Sequence, residues 1–177
     1  EKSVGDYQVF GTEFLIQKSF NQFYTWLSYS YNDNKYDFNQ LTNSNFPNNF
    51  EVTHAISWAG IYEWKQVKLA LGTKWHTGRP ITTPIVFSVT ETNPNIVYNS
   101  PNNSKLKDYF QVNFSASKNW TLSEKMKLET AVSILNLLNT KNSINRFYRV
   151  NSANNSVESV DTFSLEMTPN FNIKLSF

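Results

Sequence analysis

The sequence predicts an all-β fold, an antiparallel transmembrane β-barrel segment of about seven strands. Three observations carry that reading. Over residues 163–177 every odd position is apolar: Phe163, Leu165, Met167, Pro169, Phe171, Ile173, Leu175 and Phe177 alternate with polar residues. Strand side chains alternate faces, so this segment has one greasy and one wet surface up to a final aromatic residue. Second, short and long connections alternate, with short turns at one rim and long loops at the other, as in outer-membrane barrels. Third, aromatic residues collect near both rims, where rings with a polar handle settle at membrane–water interfaces.

Period-2 patterning places the strands at 7–20, 23–36, 52–63, 66–77, 109–119, 126–137 and 163–177. The first three are irregular, since Leu15 and Ile16, or Trp26 and Leu27, put apolar residues on both faces. The fourth is the clearest internal strand: Val67, Leu69, Leu71, Thr73 and Trp75 alternate with Lys68, Ala70, Gly72, Lys74 and His76. In the fifth, Phe110, Val112, Phe114 and Ala116 oppose Gln111, Asn113, Ser115 and Ser117. In the sixth, Met126, Leu128, Thr130, Val132 and Ile134 oppose Lys127, Glu129, Ala131 and Ser133.

The short turns fall at Asn21-Gln22, at Trp64-Lys65 and within 121–125. The long connections, about 37–51, 78–108 and 140–162, are rich in Asn, Ser, Thr and Pro and read as structureless loops. Phe20, Phe23, Tyr62, Trp64 and Trp120 lie near the short turns, and Tyr29, Tyr31, Trp75, Tyr109 and Phe110 near the long loops.

Composition narrows the function classes. A formal net charge of +2 and the lack of any Lys/Arg run argue against a nucleic-acid partner. With no Cys, neither a disulfide framework nor a thiolate metal site is available. Mean hydropathy of −0.47 and the lack of an 18-residue apolar run exclude a transmembrane helix. A barrel is not excluded, because lumen-facing residues dilute the lipid-facing ones.

An up-and-down barrel closes by pairing its first and last strands, and bacterial single-chain barrels use an even number. Seven strands therefore predict either a piece of a larger barrel, whose leader and N-terminal part lie outside this chain, or an eighth strand that the pattern does not mark; an even total with the last strand ending on the short-turn side fits the first.

Taken in order, several segments resemble the C-terminal barrel region of TonB-dependent outer-membrane receptors, particularly the SusC-like and related branch. They are Gly11-Thr12-Glu13 leading into Leu15-Ile16-Gln17-Lys18, then Trp26-Leu27-Ser28-Tyr29-Ser30-Tyr31, and Pro47 followed by His54. After them come Trp75-His76-Thr77-Gly78-Arg79-Pro80-Ile81-Thr82, Tyr109 through Ser117, Ile134-Leu135-Asn136-Leu137-Leu138-Asn139, and Thr168-Pro169-Asn170 to Phe177. The resemblance covers nearly the whole chain and rests on order and spacing, since no single motif is decisive. It implies the last seven strands of a barrel of about 22. It also implies energy-coupled uptake of a scarce nutrient, with a plug domain and a TonB-gripping box outside this chain. Implied partners are the TonB system, the lipid bilayer, the barrel-assembly machinery and a surface lipoprotein lid. Two other classes stay open: a small passive or structural outer-membrane barrel, and a soluble β-sandwich acting as a glycan-binding or adhesin module.

No Ser/His/Asp set, phosphate loop or paired-carboxylate constellation emerges, so the expectation is no enzyme, no cofactor and no metal. His54 and His76 are the only histidines and fall near loop-side strand ends, where imidazoles can ligate metal or haem. No carboxylate spacing supports such a site. Ligand binding is expected on the loops 37–51, 78–108 and 140–162, with His76 and Arg79 as candidate contacts. Thr77-Gly78-Arg79-Pro80 otherwise reads as a strand exit, and Asn136 and Asn139 as strand terminators. Glu13, Lys18, Lys68, Lys74, Lys127, Glu129 and Lys174 fall on candidate lumen-facing rows. Phe171, Ile173, Leu175 and Phe177 resemble the C-terminal signal that the assembly machinery reads.

Overall fold

The computed structural model describes residues 4–38, 45–86, 89 and 95–177. Seven long strands form one antiparallel meander: β1 (Asp6–Phe20), β2 (Phe23–Asp37), β4 (His54–Trp64), β5 (Val67–His76), β8 (Tyr109–Ser123), β9 (Met126–Leu135) and β12 (Thr168–Ser176). The short β3 (Phe46–Pro47) pairs with β2. Two further two-stranded sheets lie in the long connections, β6 (Pro80–Ile81) with β7 (Ser104–Lys105), and β10 (Ser143–Asn151) with β11 (Ser156–Phe163). Each long strand has at least 9 residues, about the length a tilted strand needs to cross hydrocarbon.

Three tight turns close one rim, at Asn21-Gln22, Lys65-Gln66 and Glu124-Lys125. The second lies one residue beyond the expected Trp64-Lys65, because Trp64 still pairs with Val67. Asn21 (φ 40°) and Lys65 (φ 55°) take left-handed backbone conformations there. Asn tolerates that region well and Lys does not. Lys65→Gly should therefore stabilise this hairpin by about 1 kcal/mol, read as a shift in the urea midpoint of the refolded protein.

Register decides which residues share a face, since directly opposed residues point the same way. Leu71 faces Gly60 across one ladder and Phe114 across the next, and Phe114 faces Ile134. On the neighbouring row, Leu69 faces Tyr62 and Ala116, Ala116 faces Val132, and Val132 faces Phe171. On the other side Trp58 faces Leu27 and Leu27 faces Ile16. One largely apolar face thus runs across all seven strands. Its reverse carries Glu13, Ser28, Ser30, Ser57, Lys68, Lys74, Asn113, Ser115, Ser133, Asn172 and Lys174, interrupted by Val9, Leu15, Trp26, Ile61 and Leu135.

The same registers place nine of the ten rim aromatics on the apolar face. Tyr109 is the exception, opposing His76 on the polar face. They also correct Lys18. It opposes Thr25, which opposes Gly60, so it sits on the apolar face. There its Nζ lies 5.6 Å from the Phe20 ring, beside the short-turn rim. Lys118 is placed alike, 3.7 Å from Trp120. Both long stems run along apolar surface while the ammonium reaches toward water.

Two further expectations fail. The closing strand begins at Thr168, not at residue 163; Phe163 ends β11, and 164–167 form a connection. The 140–162 connection is not structureless either, since it holds the β10–β11 hairpin. Each face of that hairpin carries one ion pair and one apolar pair. Arg146–Asp161 and Val150–Val157 lie on one face, Arg149–Glu158 and Phe147–Val160 on the other. Neither face is greasy, so period 2 in hydrophobicity has nothing to report.

The molecule lacks an ordinary interior. Among the described residues only Val89, Leu106, Val112 and Val157 are buried hydrophobics, while Phe14, Ile16, Leu69, Leu71, Val132 and Phe171 are exposed. A water-soluble domain of this length would bury far more of its apolar side chains.

Candidate functional site

The long-loop rim holds the polar, well-bonded part of the structure. β5 ends at His76 and the chain leaves the sheet through Thr77-Gly78-Arg79. The Gly78 N–H donates to Asp108 Oδ1 at 3.0 Å, and the Leu106 N–H donates to the Arg79 carbonyl at 2.9 Å. β6 and β7 continue this zipper, pairing Pro80 with Lys105 and Ile81 with Ser104. A Cβ at Gly78 would overlap the Leu106 carbonyl oxygen, so only glycine permits this approach. Gly78→Ala should therefore pry the two segments apart and raise tryptic cleavage at Lys105 and Lys107 several-fold. Mass spectrometry of the limited digest checks this.

Asn side chains tie the loops to one another and to the sheet. Asn102 (φ 57°) is buried and donates through Nδ2 to the Pro47 carbonyl and to Asn49 Oδ1, both at 2.6 Å. Asn142, also buried, imitates a strand partner for Phe110: its Oδ1 accepts from the Phe110 N–H and its Nδ2 donates to the Phe110 carbonyl, each at 2.9 Å. Asn136 is 0% exposed and left-handed (φ 52°). Its Oδ1 accepts from the Thr140 N–H at 3.0 Å, and its Nδ2 donates to the carbonyls of Thr140 and Leu165 at 3.0 and 3.1 Å. Asn139 Oδ1 accepts from the Met167 N–H at 2.9 Å. These amides fold the third connection back over the end of β9.

Two adjoining recesses result, sharing Arg79, Leu106 and Ile144. The outer one, about 440 Å³, joins all three long connections and is lined by Asn49, Thr82, Asn102, Asn145 and Arg146 besides Arg79. The inner one, 210 Å³, is bordered by Lys74, His76, Arg79, Lys107, Ser143 and Ser164. Lys74 and His76 reach it from the polar face of β5.

Arg146 is engaged within its own hairpin: Nε donates to Asp161 Oδ1 at 2.7 Å and Nη2 to Oδ2 at 2.9 Å. This fork, aided by a hydrogen bond from Ser143 and by nearby Lys107, holds the Asp161 carboxyl below the usual carboxylate range. A depressed carboxylate contributes stability that is present above the unfolded pKa, about 3.9, and lost as pH falls through the folded one. Hydrogen-exchange protection of the hairpin should hold at neutral pH and fall only below about pH 4; Asp161→Asn should remove that acid step.

His76 and Arg79 thus share a recess. The ring of His76 stacks on Tyr109 with centroids 4.8 Å apart and planes 7° apart, and its Nδ1 lies 2.8 Å from the Thr77 carbonyl, which makes Nδ1 the donor. His54 is elsewhere. It lies on the opposite, apolar face, with Nδ1 2.9 Å from the Tyr29 hydroxyl. The two histidines therefore cannot share a ligand, and among the described residues no His/Cys/Asp/Glu group is arranged to hold a metal. The loop expectation for 37–51 is only partly visible, since residues 39–44 lie outside the described part. Phe171, Ile173 and Leu175 share the apolar face of β12, beyond which Phe177 lies exposed.

Sequence reasoning missed Lys107, Ser143 and Ser164 as neighbours of Arg79. They sit on irregular backbone far apart in the chain, where no periodicity links them.

Neither a scan against protein-family models nor searches of curated proteins and of solved structures find a match to this chain. The functional reading therefore rests on the sheet and the recesses themselves.

Proposed function

We propose that this chain forms part of the wall and extracellular rim of an outer-membrane β-barrel, within a TonB-energised receptor that takes up a scarce nutrient. The observation that carries the reading is the largely apolar face, which runs across seven strands and is exposed. An exposed apolar patch on a soluble monomer rarely exceeds a few hundred Å², and lipid is the solvent that suits a larger one. The polar reverse suits a water-filled lumen, where Lys68 and Glu63 pair at 2.8 Å.

The sheet edges favour a larger barrel over a small closed one. Among the described residues β1 and β12 each pair on one side only, and an open ladder in hydrocarbon costs several kcal/mol per orphan group. In the reading, further strands cover both edges, a plug fills the lumen and couples to TonB, and the barrel-assembly machinery inserts the whole. The long-loop rim faces the cell exterior, where a surface lipoprotein lid would meet it. The soluble β-sandwich alternative needs a second sheet on the apolar face, yet the described strands outside the large sheet form only two-stranded ladders.

Protease shaving of intact cells tests the orientation. Cleavage is expected within 78–108 and 140–162 and not at Asn21-Gln22 or Lys65-Gln66. Cleavage at the tight turns would invert the topology. Recovery of the protein in the soluble fraction would overturn the proposal.

A further inference from the structure

We propose that the inner recess is a binding site for a compact oxyanion, a phosphate or carboxylate group carried by the ligand. It rests on the uptake reading only for the purpose of binding, not for the site itself.

The recess draws Lys74, His76, Arg79 and Lys107 to one 210 Å³ concavity, and no carboxylate lines it. Two acids flank it: Asp108 accepts from the Gly78 N–H, and Asp161, held by the Arg146 fork and Ser143, also feels Lys107. Among the described residues, Lys74, Arg79 and Lys107 form no ion pair. A concave wall of one sign focuses field and concentrates counter-ions. Arg79 offers the planar fork that matches an oxyanion, and the lysines add point charges.

Ser164 is an independent pointer. Ser164 borders the recess, and its Oγ, covered by protein, has no hydrogen-bond partner, alone among the buried side-chain polar atoms of the described residues. Buried hydroxyls are nearly always satisfied, and an unsatisfied one in a native structure calls for an account. A turn of χ1 would aim the Ser164 O–H at an oxyanion bound by Arg79 and Lys107, and so satisfy it. The zipper at Gly78 and the Asn142 clamp fix the backbone on either side, so the donors converge without the ligand having to order them. The volume admits one such group and not a whole large nutrient. The outer recess, with its Asn amides and shared Arg79, is placed to hold the adjoining, uncharged part of the same molecule.

The test is titration of the detergent-solubilised, folded protein with inorganic phosphate and, separately, acetate, at constant ionic strength. Isothermal calorimetry reads the affinity. Saturable binding of at least one anion is expected, and the tighter of the two identifies the group. Arg79→Gln and Lys107→Gln should each weaken it about tenfold, as expected for losing a charge-assisted hydrogen bond. Ser164→Ala, which leaves the charge unchanged, should weaken it several-fold. Lys65→Gln, at the opposite rim, should leave it unaltered and controls for net charge. Absence of saturation with both anions, or equal weakening by Lys65→Gln and Arg79→Gln, would overturn the site. Heat-modifiable migration of the same samples reports the barrel separately. It also verifies that each variant is folded, so a failed site and a failed uptake reading give different results.

Discussion

Leu71→Lys should destabilise the inserted protein by roughly 2–4 kcal/mol, the depth-dependent cost of a lysine on the lipid face near mid-bilayer. Leu71 lies near the middle of β5, opposite Gly60 and Phe114 on the apolar face, and is 37% exposed. In lipid that exposed surface meets acyl chains, and an ammonium placed there can escape only by bending toward an interface about two turns of the pleat away. Lys68→Leu, three residues earlier on the polar face, provides the contrast. It removes an exposed ion pair with Glu63, and exposed pairs contribute about 0–1 kcal/mol. Equilibrium unfolding in vesicles measures both. In a soluble sheet the ranking would shrink or reverse, because Leu71→Lys would then relieve an exposed apolar patch.

The second large effect is expected at Asn136. Its amide makes three hydrogen bonds, to Thr140 twice and to Leu165, in a fully buried position. Asn136→Ala strips these partners and also places a residue with no local amide at φ 52°. Orphaned buried polar groups and the left-handed backbone together put the cost at about 2–4 kcal/mol. The loss should be local: amide exchange at Thr140 and Met167 accelerates, while that of β4 and β5 does not change. Asn136→Asp keeps the acceptor for the Thr140 N–H but turns a buried carboxylate oxygen toward two carbonyls, and should cost at least as much as Asn136→Ala. Uniform acceleration across the sheet would show that Asn136 supports the fold rather than the third connection.

The strands were legible because a sheet with one apolar and one polar face writes both into the chain at period 2. Val67 to Trp75 shows this at its clearest. Where both faces carry apolar residues, as around Leu15-Ile16 and Trp26-Leu27, the strands could be read but not their faces; pairing supplied those. Lys18 was misplaced for that reason, in a strand whose own alternation is broken. The β10–β11 hairpin escaped because its faces are mixed, each pairing an ion pair with an apolar contact. Phe163, Leu165 and Met167 misled in the other direction, extending the alternation of β12 through a connection by coincidence of spacing. At the recess, Arg79 and His76 stood out as a charged residue and an imidazole at a strand exit. Lys107, Ser143 and Ser164 join them only through the Gly78–Leu106 approach and the Asn142 clamp, contacts between residues far apart in sequence.

The central claim is that one face of this sheet meets lipid and the other water, and the chain suits a direct test because it contains no native cysteine. Single cysteines at Leu69, Leu71, Phe114 and Val132 on one face, and at Lys68, Ser115 and Ser133 on the other, are introduced in membranes of cells that make the protein. Each is labelled with a lipid-soluble maleimide and with a charged, water-soluble one. The apolar row is predicted to react with the lipid-soluble reagent and to resist the charged one, with the opposite preference along the polar row. Equal reaction of both rows with the charged reagent would contradict the account, because it would place both faces of the sheet in water.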